Sequence, residues 1–102
     1  MTDLPADAIR VVATLPIKSE SLEAARGALA ALAAASLADE PGCLQYDAFE
    51  SAATPGVLVT VEAWASEADM NAHLSTPHVA EAFAVLGGAL DGDLAIHPLR
   101  PL

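Results

Sequence analysis

The sequence predicts an α+β protein: a four-stranded antiparallel sheet with helices packed on one face. Three observations lead there. Four short β-branched or apolar runs recur, two stretches with helical spacing fall between them, and turn chemistry separates every pair. At 102 residues the chain is expected to be one domain, 1–102, long enough to bury one modest core.

The elements follow in order. Residues 8–15, AIRVVATL, read as a strand. PIKSES breaks it, and Ser19 or Ser21 is placed to cap a helix with Glu20 and Glu23 near its start. Along that helix Leu22, Ala25, Leu29, Leu32 and Ser36/Leu37 recur at steps of three and four, which makes one buried stripe. DEPG ends it, because a residue before proline avoids the helical region. Residues 42–50, GCLQYDAFE, and 57–64, VLVTVEAW, are strands of a hairpin around SAATPG. Ser66 caps a second helix, with Asp69 in the capping-box position. Thr76-Pro77 opens a further helical piece, with Val79, Phe83 and Leu86 as its stripe and Gly87-Gly88 as its end. Residues 93–99, DLAIHPL, are the last strand. Strand, helix, strand, strand, helix, strand is the order of a ferredoxin-like βαββαβ plait.

Composition excludes several classes of function. The formal net charge is −10 with only four Lys/Arg, whereas phosphate binding needs a basic stripe, so no nucleic-acid partner is expected. The same charge argues against anionic membrane surfaces, and no apolar run nears the roughly 20 residues of a spanning helix. MTDLPADAIR has neither a basic nor a hydrophobic leader region, and Cys43 is the single cysteine, so a cytoplasmic protein without a disulfide is expected. GGALDG follows a helix and lacks the spacing of a dinucleotide fingerprint.

Alternation along the strands poses a question of faces. Ile9, Val11, Ala13 and Leu15 share one side of the first strand, and Val57, Val59, Val61 and Ala63 one side of the third. Taken together these make an aliphatic face, opposite a mixed one bearing Arg10, Val12, Thr14, Leu58, Thr60, Glu62 and Trp64. Either the aliphatic face lies under the helices, giving a monomer, or it meets a second copy while the mixed face lines a cleft. Pattern alone does not choose.

EPGCLQYDAFES and VLVTVEAWASEADMNAHLSTPHV resemble the antibiotic biosynthesis monooxygenase domains of the dimeric α/β-barrel superfamily. The specific parts are Glu40-Pro41-Gly42-Cys43 with Tyr46, Glu62 with Trp64, and His73-Leu74-x-Thr76-Pro77-His78. The resemblance implies a plait that dimerises sheet to sheet, with a pocket between sheet and helices in each subunit. It selects the second assignment of faces. It also implies a cofactor-independent monooxygenase that oxidises a quinol or similar electron-rich aromatic with O₂, using no flavin, haem or metal. The alternatives are a non-oxidative isomerase or binding protein of the same fold, and a structural dimer with a vestigial pocket. Departures from the family's branches bear on substrate. Thr60 stands where the polyketide branch has asparagine, and Met70 and Ala84 fall near its tyrosine and arginine. Phe83 stands where the haem-degrading branch has an axial histidine, which argues against haem cleavage.

Within that frame the expected catalytic residues are His78, Trp64 and Thr60. The expected substrate-binding residues are His73, Tyr46, Met70, Phe83 and Glu62. His78, at the second position of a helix, meets a positive dipole end that favours neutral imidazole, the form a general base requires. Glu62 is expected to pair with a cation such as Arg10. His97 reads as surface or interface. No metal site is expected, since two histidines five residues apart on a helix point in different directions, and Pro77 breaks the helix between them in any case.

Overall fold

The computed structural model describes residues 4–102. Residues 1–3, the start of the MTDLPADAIR stretch on which the expectation about a leader rests, lie outside the described part. The elements run β1 (Ile9–Pro16), α1 (Leu22–Asp39), β2 (Cys43–Glu50), β3 (Val57–Trp64), α2 (Glu67–His73), α3 (Pro77–Ala89) and β4 (Ala95–Leu99). The sheet order is β2-β3-β1-β4, and every pairing is antiparallel. This is the α+β ferredoxin-like plait. No helix among the described residues is long and apolar enough to cross a membrane.

Local chemistry accounts for most of the boundaries. Neither Ser19 nor Ser21 makes the expected side-chain cap; a short 3₁₀ turn, Ser19–Ser21, leads into α1 instead. Ala25, Leu29, Leu32 and Ser36 form the buried stripe of α1, and the Ser36 hydroxyl donates to the Leu32 carbonyl at 2.8 Å. Leu37, expected with Ser36 at the stripe's end, is half exposed. At α2 the Ser66 hydroxyl accepts from the Asp69 N–H at 3.1 Å and donates to the Asp69 carboxylate at 2.8 Å. At α3 Thr76 accepts from the Val79 N–H, and Pro77 takes the first helical position. The two glycines do not stop α3, which continues to Ala89. Gly56, at φ +90°, supplies the left-handed turn into β3 that a side chain would strain.

The register corrects the grouping of faces. Val11 lies opposite Glu62, Ala13 opposite Thr60 and Leu15 opposite Leu58, so these residues share one face. That face is covered by the helices, and all six side chains are buried. The other face carries Val12, Thr14, Val57, Val59 and Val61, with Asp47, Phe49, His97 and Leu99 beside them across the ladder. β3 therefore divides as the second assignment requires, while β1 divides the opposite way. Both sides of β1 are rich in apolar residues, and only pairing with β3 decides which turns inward.

A candidate small-molecule site beneath the helices

A cavity of about 280 Å³ lies between the inner sheet face and the helices. Its walls are mainly aliphatic, including Val11, Leu29, Leu86 and Ile96, with Met70 and Phe83 from α2 and α3. Tyr46, Thr60, Glu62 and His73 form its polar part. Sparse polar groups in an otherwise apolar hollow are the usual plan of a small-molecule site, and the volume lies near the lower end of the ~300–1,000 Å³ typical of such sites. Of the residues expected from sequence, Thr60, His73, Tyr46, Met70, Phe83 and Glu62 line this cavity. His78 and Trp64 are not among its lining residues; they stand behind it.

Glu62 finds its partners on its own strand. Its Oε2 accepts from the Thr60 hydroxyl at 2.7 Å and its Oε1 from the Trp64 indole N–H at 3.0 Å. The expected pairing with Arg10 does not form, because Arg10 points to the open face. Strand alternation explains why: residues 60, 62 and 64 lie side by side on the inner face.

Behind the cavity wall, Glu40 joins His73 to His78. One carboxylate oxygen, Oε2, lies 2.7 Å from His73 Nδ1 and 2.7 Å from His78 Nε2. Burial disfavours the Glu40 charge, but hydrogen bonds from the two imidazoles outweigh it and hold the carboxyl below its usual range. An ionised carboxylate only accepts, so the hydrogens sit on His73 Nδ1 and His78 Nε2. In neutral His73 the remaining nitrogen, Nε2, then carries a lone pair. Among the described residues Nε2 has no hydrogen-bond partner, and no sealed side-chain nitrogen or oxygen there lacks one. It is therefore not sealed, and His73 is among the residues that line the cavity.

Aromatic packing fixes that ring. The Trp64 centroid lies 4.7 Å from that of His73, and the Tyr46 centroid 5.6 Å. Tyr46 and Trp64 meet edge to face at 6.4 Å. Glycine is required at position 42, because a Cβ there would collide with the Asp69 side chain; the start of β2 thus runs against the first turn of α2.

The expected divergence of the histidines holds only for one continuous helix. The chain instead bends between α2 and α3, and His73 and His78 face the same carboxylate across the bend. By its local chemistry Glu40 reads only as part of a helix terminator; the motif of the family resemblance is the one signal that includes it. The Glu40, His73 and His78 ligand atoms all lie within 4.8 Å of one another, a set able to hold a metal ion.

Burial, with the nearby Glu40 and Glu62 charges, pushes the Cys43 thiol up to about 11 from an ordinary 9.0. Burial, with Glu62 next, also raises the Tyr46 phenol, so its hydroxyl stays protonated and able to donate. Both groups titrate higher when folded than when unfolded. Their stabilising contribution is complete below the unfolded value and is lost as pH rises. For Cys43 the window runs from 9.0 to about 11. The melting temperature is expected to fall across that window, and to fall less steeply in Cys43→Ala; equal slopes would show that the thiol has no part in the loss.

The plait and its mainly apolar hollow define an α+β domain with a cavity of small-molecule size. The antibiotic biosynthesis monooxygenase family matches the chain over residues 8–85, and the chain belongs to that family. A Caulobacter crescentus protein provisionally named an antibiotic biosynthesis monooxygenase is 31% identical, with TM-score 0.87 over 94% of this chain and 91% of its own. Rv0793 of Mycobacterium tuberculosis is 30% identical, with TM-score 0.84 over 93% and 95%. A conserved protein of Methanosarcina mazei is 30% identical, with TM-score 0.84 over 91% of each chain. No protein of curated function matches the chain.

Proposed function

We infer that this protein is a cofactor-independent monooxygenase that oxidises a quinol or similar electron-rich hydroxyaromatic with O₂. The observation that carries this reading is His73, which lines a mainly apolar cavity while ionised Glu40 holds its Nδ1. Carboxylate-oriented imidazole is a recurrent form of general base, because the carboxylate fixes the tautomer and stabilises the imidazolium that forms.

In this scheme Nε2 takes the substrate's hydroxyl proton. The phenolate then gives one electron to O₂, and the radical pair joins at a ring carbon that still bears hydrogen. The proton on His73 returns to the outer peroxide oxygen. Loss of the carbon's hydrogen as a proton breaks the O–O bond and leaves a carbonyl and water. The substrate supplies all the electrons. The Tyr46 hydroxyl is the donor suited to the developing oxyanion, while Met70 and Phe83 hold the ring in a dry site. Oxygen uptake with a panel of hydroquinones and anthrones tests the scheme: a product that has gained one oxygen atom and lost two hydrogens, with one O₂ consumed per turnover, supports it. Consistent melting shifts on ligand addition with no oxygen consumed would instead favour a non-oxidative binder or isomerase.

We also infer a homodimer through the open sheet face. Val12, Val59 and Val61 lie at its middle with no helix over them, and Phe49 and Leu99 are 53% and 45% exposed. Each such side chain gains about 1.5–3 kcal/mol when fully buried. Light scattering is expected to give twice the 10.4 kDa of one chain. Val61→Asp is expected to halve that mass, since a charge at the centre of the contact would be buried unpaired. A wild-type mass of one chain would remove the dimer.

A further inference from the structure

We propose that Glu40, His73 and His78 form a binding site for a divalent transition cation of the zinc class. Three separate pieces of chain converge there: Glu40 follows α1, His73 closes α2, and His78 lies in the first turn of α3. Their ligand atoms already lie within 4.8 Å of one another, and both imidazole nitrogens address one carboxylate oxygen at 2.7 Å. Zinc binds nitrogen and carboxylate oxygen at about 2.0–2.2 Å, so tetrahedral ligands stand about 3.4 Å apart. Opening the cluster to that size moves each imidazole by less than about 1 Å. His73 is held in place by Trp64 and Tyr46, so one ligand is fixed before the cation arrives.

Charge favours the same occupant. Two neutral imidazoles and one carboxylate carry a single negative charge, in a chain whose formal net charge is −10. None of the four basic side chains balances Glu40. Lys18 donates to the Gly88 carbonyl, Arg26 pairs with Glu50, Arg10 is on the open sheet face, and Arg100 follows β4. Two imidazoles and one carboxylate suit zinc, copper, nickel or iron, while magnesium and calcium prefer all-oxygen sets.

Occupancy changes the cavity as well. A cation on His73 Nδ1 displaces the hydrogen from that atom, so the neutral ring carries it on Nε2. The nitrogen that Glu40 leaves free then donates instead of accepting. The cation is thus no partner in the oxidation but a ligand that removes its base. This consequence rests on the oxidation reading; the site itself does not.

The test is a titration of the full chain with zinc chloride, without substrate, followed by calorimetry and by emission of Trp64, the only tryptophan. One equivalent is expected to saturate, at a concentration on the order of micromolar. Binding is expected to weaken at least about tenfold in Glu40→Gln and in His78→Ala, to be unchanged in His97→Ala, and to be absent with magnesium or calcium. No saturable response, or full affinity in both Glu40→Gln and His78→Ala, overturns the site. Ring-nitrogen NMR of the unaltered protein decides the matter if a variant fails to fold: zinc should shift His73 Nδ1 and His78 Nε2 and leave His97 alone, and shifts confined to His97 overturn the site. Because no substrate is present, an absent cation leaves the oxidation reading standing, and an inert cavity leaves the cation site standing.

Discussion

Turnover in His73→Phe is expected to fall by about 10²–10⁴-fold, the usual worth of a positioned general base. Phenylalanine keeps a ring between Trp64 and Tyr46, so the wall persists while both nitrogens are lost. The loss should therefore appear in kcat, with KM and substrate-induced melting shifts changed far less. Glu40→Gln should cost less, because it removes the charge that orients the ring and leaves the His73 imidazole in the cavity wall. His78→Ala distinguishes the two candidate bases. His78 reaches Glu40 but does not line the cavity, so its removal should cost much less than that of His73. Turnover that survives His73→Phe and collapses in His78→Ala would restore the base expected from sequence alone.

The largest expected effect on stability is that of Trp64→Ala, a loss of about 3–5 kcal/mol. Trp64 is fully buried, and three contacts depend on it: the Glu62 hydrogen bond, the His73 stack and the Tyr46 edge. Truncation opens a void and leaves Glu62 Oε1 without its donor inside the protein, which adds to the transfer cost. Since whole domains are stable by about 5–15 kcal/mol, the variant should unfold at much lower denaturant, with its midpoint moved and its slope retained. Trp64→Phe isolates the N–H, because it keeps most of the apolar packing. A loss below about 1 kcal/mol for Trp64→Ala would mean that the core closes around the gap.

The plait is legible in the sequence because its signals are local. Thr76-Pro77 and Ser66 mark helix starts through bonds within four residues, and the alternation of β3 places Thr60, Glu62 and Trp64 together without knowledge of any neighbour. What stays hidden is non-local. Both sides of β1 could be inner by hydrophobicity, and only the opposition of Val11 to Glu62 decides between them. Glu40 lies 33 and 38 residues from the histidines it joins, and nothing in DEPG announces that. The bend that brings His73 and His78 together is visible as a proline and a cap, but its geometric consequence is not. The motifs that carry the family resemblance do contain all three residues, which is the one available signal.

Strand β4 ends the sheet with Pro98 opposite Val11, and β2 ends it with a bulge between Cys43 and Gln45 and with acidic Asp47 and Glu50. A proline offers no amide hydrogen to an incoming chain, and bulges and like charges spoil an edge as a template. Fibre growth by adding strand to strand is thereby resisted at both margins, even though one broad side of the layer is greasy. The pairing proposed above would instead be broadside, a mode that is complete after two.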